Sequence, residues 1–232
     1  SSARKAKMIG RTTPTEPASV TDGQTLLNIP LQRGSDAGAR GAAHTDRLPA
    51  APDPYSGQLV AEHGAVSVEP AADLFERLVV SILRQQVSVA AADAIRARLT
   101  DAVELTPEAV RRTDRSTLRD LGVSRQKASY LHNAADAFLD RVYSREYFAG
   151  MGDEAVTAEL TRITGVGTWT AKMQLLFGLG RPDVFPVEDL GIRKGMRVVF
   201  DDDPDRSRMT AIAERWRPYR SYATLYLWRA VE

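Results

Sequence analysis

The sequence predicts an all-α protein, on three observations. From about residue 72 onward apolar side chains recur at three- and four-residue steps, the period of a helix with one buried face. Ser, Thr and Asp residues that cap helix starts, and Gly and Pro residues that end them, fall at helix-length intervals. No run of alternating apolar and polar residues reads as a paired strand.

Taken in order, residues 1–47 are rich in Ser, Thr, Gly, Ala, Pro and Arg, and only Leu26-Leu27-Asn28-Ile29 is locally apolar. This stretch is expected to be a disordered or loosely attached tail. Its basic residues Arg4, Lys5, Lys7 and Arg11 form either an arm that brushes a polyanion or a solvated tail. Residues 48–232 are expected to form the folded domain. Asp53-Pro54 supplies an N-cap with Pro at the first helical position, and Gly64 a stop. A helix over about 72–85 places Leu74, Phe75, Leu78, Val79, Ile82 and Leu83 on one face. Ser88 caps a helix to about Leu99, Thr106-Pro107 opens a short one, and Ser124 caps a longer one that carries Tyr130, Leu131, Ala134, Ala135 and Phe138. Further helices are predicted over about 153–163, 168–179, 190–199 and 207–216, with Pro218 separating the last from one over 219–230.

Composition narrows the chemistry. The chain has 232 residues and 43% hydrophobic content, enough for one good core or two small ones. Its apolar runs are shorter than the roughly 18 residues that cross a bilayer, and no signal-peptide pattern opens it, so an intracellular protein with no membrane partner is expected. It contains no cysteine, which excludes disulfides, a thiolate nucleophile and a Cys-ligated iron-sulfur cluster. His44, His63 and His132 are too far apart for a local metal motif. With 31 Lys and Arg against 30 Asp and Glu, the net charge is +1, so binding to a polyanion must rely on local basic placement and backbone N–H groups.

The most informative stretch is Leu160 to Arg197. Thr164-Gly165-Val166-Gly167 reads as a tight hairpin between two helices, with Val166 plugging the core and the N-terminus of the next helix, from Thr168 or Trp169, aimed outward at any bound phosphate. A loop containing Gly and Pro then leads to Glu188-Asp189 at the start of another helix. Taken alone, Asp189 is either the N-cap of that helix or a catalytic carboxylate.

The run Leu160-x-x-Ile163-x-Gly165-Val166-Gly167-x-Trp169-Thr170-Ala171, with Asp189 downstream, resembles the helix-hairpin-helix DNA glycosylase superfamily that includes endonuclease III, and within it the 3-methyladenine DNA glycosylase II branch. The resemblance spans about residues 53–230 and includes Arg215 to Ala223 as a closing segment. It implies two helical lobes with a DNA-binding cleft and the hairpin at its rim, and a monomer that acts on double-stranded DNA with a damaged base. The mixed α/β amino-terminal subdomain of longer members is expected to be absent. Asp189 matches the catalytic aspartate, which stabilises an oxocarbenium-like sugar while water attacks. Glu188 is the rival carboxylate, otherwise solvent-facing or helix-N-terminal. Trp169 stands where strand-cleaving relatives carry a nucleophilic lysine, so a monofunctional enzyme is expected. Lys172 remains either a lyase amine or a phosphate or solvent contact.

Other roles follow from the same resemblance. Trp169 and Trp228 would wall the base pocket, with Met173 and Leu190 where some relatives have Tyr; Trp228 is alternatively a core aromatic. A purine alkylated at N3 or N7 is cationic, leaves readily and gains roughly 0.5–2 kcal/mol by stacking on indole. No His stands near Asp189 to act as an acid, which suits such a leaving group. Gln86 matches the side chain that fills the gap left by a flipped base, with Gln85 beside it. Backbone groups over Thr164, Gly165, Val166, Gly167 and Thr168, and the side chains of Arg193 and Lys194, would hold DNA; Arg193 and Arg197 share a face and pair with phosphate or with Asp201 to Asp203. Leu121-Gly122-Val123-Ser124, ahead of Gln126 and Lys127, is a second hairpin-like turn. No cofactor is expected apart from a monovalent cation, Na or K, on the main-chain carbonyls of Thr161, Ile163 and Gly165.

Overall fold

The computed structural model describes Leu59 and residues 61–231. The expected tail over 1–47 and the Asp53-Pro54 helix start lie outside the described residues. Among the described residues the regular elements are helical: α1 (Leu74–Leu83), α2 (Val89–Ala102), α3 (Pro107–Arg112), α4 (Arg115–Asp120), α5 (Arg125–Arg141), α6 (Arg145–Ala149), α7 (Asp153–Leu160), α8 (Thr168–Met173), α9 (Leu190–Phe200), α10 (Arg206–Ala213) and α11 (Arg220–Arg229).

The caps are those the sequence advertises. The Asp73 carboxylate accepts from the Glu76 amide at 2.7 Å, and Ser88, Thr106, Ser124 and Ser144 make the corresponding bonds at the starts of α2, α3, α5 and α6. Helices α4 and α6 have 6 and 5 residues, too few to display a helical period in the sequence. The helix predicted over 168–179 is α-helical only to Met173 and continues as a π turn over Gln174–Gly178. There the buried Gln174 amide donates to the Leu74 carbonyl of α1 at 2.6 Å, and the absent Cβ of Gly178 leaves room for it. A π turn of this kind makes space for an inserted side chain, and nothing in hydrophobic spacing announces it.

Helix α1 is buried along nearly its whole length, at Leu74, Phe75, Leu78, Val79, Val80, Ser81, Ile82 and Leu83. It packs on α2, α5, α8 and the π turn, while α5 also receives α3 and α4. A second group forms around α9 and α11, and the segment before α1 joins it: the Tyr226 hydroxyl donates to the Gly64 carbonyl at 2.8 Å and Arg229 to that of His63 at 2.7 Å. Helix α8 lies between α1 and α7 on one side and leads through the π turn toward the second group.

Beneath the hairpin sits one buried carboxylate. Glu159 of α7 is 7% exposed and accepts from the Tyr143 hydroxyl at 2.8 Å, the Tyr147 hydroxyl at 3.3 Å, Arg141 at 2.9 Å and Arg162 at 2.9 Å. The Tyr143 hydrogen bond, followed by the charges of Arg141 and Arg162, holds its carboxyl below the ordinary glutamate range. A depressed folded-state value means that this stabilisation is present above the unfolded-state value and is lost as pH falls through the folded one. Because both arginines are partly exposed, Glu159→Ala is expected to cost about 2–3 kcal/mol in urea unfolding at neutral pH, mainly by stranding the Tyr143 hydroxyl. The gap between the two proteins should narrow once pH falls below about 4.3.

Candidate active site

The hairpin between α7 and α8 is built on two apolar anchors and one glycine. Ile163 and Val166 are buried, and the Val166 amide donates to the Ile163 carbonyl at 2.9 Å. Gly165 turns the chain at φ +105, a conformation open to glycine, with the Tyr130 ring of α5 packed where a Cβ would stand. Gly167 then starts α8 with no side-chain cap, so the first amides of α8 are left to other partners. Thr164, Gly167 and Thr168 are exposed.

Two side chains from elsewhere brace this turn, and a third ties together the helices that carry them. Gln85, at the end of α1, donates its amide to the Gly165 carbonyl at 2.9 Å and to the Thr170 hydroxyl at 3.0 Å. Asn133 of α5 donates to the Thr164 carbonyl at 3.0 Å, and Lys127 ties α5 to the Leu83 carbonyl at 2.6 Å, with its amine pushed down by burial. Both hydrogens of the Gln85 amide are therefore used inside the protein, on the hairpin itself. Its neighbour Gln86 is exposed and left-handed at φ +57, at the tip of the loop between α1 and α2. That is an uncommon conformation for a non-glycine residue.

Asp189 is the N-cap of α9 and more than that. Its Oδ1 accepts from the Ile192 amide at 3.0 Å and from the Trp228 indole at 2.8 Å; its Oδ2 accepts from the Trp169 indole at 2.9 Å. A carboxylate offers about four acceptor places, so one remains, on Oδ2. The cap and the catalytic candidate are thus compatible uses of the same side chain.

The neighbouring candidates sort differently. Glu188 stands just before the N-cap and is paired: Lys172 holds both of its oxygens, at 2.9 and 3.0 Å, and also donates to the Phe185 carbonyl at 3.2 Å. Lys172 is correspondingly engaged and is not a bare amine. Trp169 is half-buried and Leu190 is 37% exposed, both beside the carboxylate. Met173 and Trp228, expected as pocket walls, are 2% and 1% exposed and present no open face. Met173 points from α8 into the core, and Trp228 lies beneath Asp189. On α9, Arg197 pairs with Asp203, whereas Arg193 and Lys194 are half-buried, with the Arg193 Nε enclosed. The Leu121 to Ser124 turn is real, with Gly122 at φ +97 under the Arg98 guanidinium and Leu121 accepting from Arg98.

Sequence reasoning missed the residues that stand behind the site. Phe177 stacks on Trp228 at 5.7 Å and 17°, and the Arg77 guanidinium lies 4.6 Å from the centroid of Phe177. Burial pushes the Arg77 guanidinium down to about 10, helped by Arg84 and Arg96. Gly191 and Gly195, one turn apart on α9, have no room for a Cβ against α11. Their i, i+4 spacing was legible as a close-packing signal; the Arg77–Phe177 contact, across a hundred residues, was not.

A glycine hairpin braced from α1 and α5, next to a helix-capping aspartate held by two indoles, defines a helix-hairpin-helix protein with a candidate catalytic carboxylate. Residues 79–220 match the family described as HhH-GPD superfamily base excision DNA repair protein, and the chain belongs to it. A putative DNA-3-methyladenine glycosylase of Bacillus subtilis is 39% identical over 128 residues, 54% of this chain and 45% of that protein, so the chain spans less than half the length of this relative. DNA-3-methyladenine glycosylase 1 of Schizosaccharomyces pombe is 32% identical over 162 residues, 67% of this chain and 71% of that protein. The structure of a 3-methyladenine DNA glycosylase from the same yeast in complex with abasic DNA superposes with a TM-score of 0.69 at 30% identity, covering 76% of this chain and 91% of that one.

Proposed function

We propose that this chain is a monofunctional DNA glycosylase of base excision repair that hydrolyses the N-glycosidic bond of alkylated purines of the 3-methyladenine and 7-methylguanine type. The observation that carries the reading is Asp189 itself: a carboxylate with one open acceptor place on Oδ2, beside a half-buried Trp169. A cationic alkylpurine departs with the bonding electrons and leaves neutral. The sugar carries the positive charge, which the Asp189 carboxylate stabilises, and water adds at C1′ and gives its proton to solvent, leaving an abasic site and a free base. Trp169 supplies the stacking face and Leu190 the apolar edge. Gln86, exposed in a strained conformation at a loop tip, fills the vacated stack.

DNA is held by main-chain groups over Thr164 to Thr168, with Arg193 and Lys194 contributing from α9. The carbonyls of Thr161, Ile163 and Gly165 would hold a monovalent cation, a reading supported by a spare lone pair on Ile163 and Gly165, each of which accepts one hydrogen bond inside the protein. Such an ion would add positive charge near the phosphate. Among the described residues there is no cluster of His, Cys, Asp and Glu that could hold another metal, and no helix is long and apolar enough to cross a membrane. A monomer working inside the cell, with residues 48–232 as the catalytic domain and 1–47 as an attached tail, completes the reading.

Hydrolysis by water, with no amine nucleophile, is supported by Trp169 at the place of the lysine and by the engagement of Lys172 with Glu188. The test uses methylated duplex DNA and scores strand breaks before and after alkali, with borohydride present in a parallel reaction. Breaks only after alkali and no protein-DNA adduct are expected. Direct strand cleavage with a trapped adduct would instead establish a lyase.

A further inference from the structure

Trp228 donates to Asp189 from a position that stacking does not explain. Its indole is 1% exposed, so it offers no surface to a base. Its ring is backed by Phe177, which lies beneath the Arg77 guanidinium, and its Nε1–H is given to Oδ1, not to the oxygen with the open acceptor place. What brings the two groups together is the crossing of α9 and α11. A Cβ on Gly195 would stand 2.2 Å from the Leu227 carbonyl oxygen. One on Gly191 would stand 2.7 Å from Trp228 Cδ1, 2.9 Å from its Nε1 and 3.0 Å from Asp189 Oδ1. Two glycines one turn apart therefore remove the side chains that would separate the indole edge from the carboxylate.

We propose that Trp228 is a positioning residue for base release, with Gly191 and Gly195 as the device that delivers it. Its Nε1–H and the Ile192 amide occupy both acceptor places of Asp189 Oδ1, fix the rotation of the carboxylate and leave Oδ2 as the oxygen that faces the sugar. A charge-assisted bond of this kind, made in a buried setting, also keeps the carboxylate in place when the substrate's positive charge develops beside it. This inference rests on Asp189 being the catalytic carboxylate.

The test compares Trp228→Phe, and a protein carrying benzothiophene in place of the Trp228 indole, with the wild type. Both variants keep an aromatic ring on Phe177, and the second keeps the bicyclic shape while losing only the N–H. Under saturating methylated DNA, kcat is expected to fall about 10- to 100-fold with KM within about twofold. Gly191→Ala, whose Cβ crowds both the indole edge and Asp189 Oδ1, is expected to lose kcat as well. Nitrogen-proton NMR of the indole groups gives a readout independent of turnover: the Trp228 N–H resonance should sit downfield and move upfield in Asp189→Ala. A benzothiophene protein with wild-type kcat, a matched rise in KM instead of a loss of kcat, or a Trp228 resonance indifferent to Asp189→Ala would each overturn the proposal. Wild-type base release by Asp189→Ala itself would overturn the catalytic reading beneath it, a separate result.

Discussion

Asp189→Ser is expected to leave the fold in place and to abolish base release. Serine is as good an N-cap as aspartate, so the bond to the Ile192 amide survives, while the buried Trp228 N–H loses its acceptor; the loss of stability should be about 1–3 kcal/mol, read from the melting curve. What disappears is the negative charge beside the sugar. Removing a preorganised electrostatic stabiliser of a transition state lowers kcat by about 100- to 1000-fold, and a full carboxylate facing an oxocarbenium-like sugar belongs at or beyond the upper end. The substitution therefore separates the two uses of the side chain, because an Asp189 that only capped α9 would be replaced by serine with no effect on release.

Gly165→Ala is the second large effect, and it acts on the hairpin. The new Cβ would lie 2.2 Å from Cγ of Tyr130 and 2.4 Å from Cδ1, with φ at +105, where an L side chain is strained whatever the space. Backbone strain and overpacking together are expected to cost about 2–4 kcal/mol. The same displacement breaks the Gln85 bond to the Gly165 carbonyl and shifts the amides at the start of α8, so affinity for duplex DNA should fall even in the fraction that stays folded. Denaturant unfolding and a DNA titration check the two parts. Adding Tyr130→Ala to Gly165→Ala should recover the clash but not the φ strain, and this partial rescue distinguishes a crowded turn from a generally weakened fold.

The helices were legible where local chemistry decides them and illegible where distant contacts do. Caps at Ser88, Thr106 and Ser124, and the apolar face of Leu74 to Leu83, are written in consecutive residues, and the structure places helices there. The π turn at Gln174 depends on a carbonyl in α1 that no local pattern reveals. The site divides in the same way. The glycine hairpin and the capping aspartate carry their own signals, because a turn needs Gly and a helix start needs an acceptor. Trp228 was named from the sequence, but its face was not. Only the packing of α9 on α11 shows that its nitrogen, and not its ring surface, is turned to the site. Gln85 follows the same logic: that its NH2 group reaches Gly165 and Thr170, some eighty residues away, is written in no local pattern.

The measurement that bears most directly on the central claim is the time course of free bases released from methylated duplex DNA by the wild type and by Asp189→Ser, resolved by chromatography. The account requires 3-methyladenine or 7-methylguanine to appear with the wild type, and release to fall by about 1000-fold in the serine variant at a temperature where its melting curve shows it folded. Equal release by both proteins would return Asp189 to the role of a helix cap. No release by either, with DNA binding retained, would make this chain a helix-hairpin-helix module that holds DNA without acting on it.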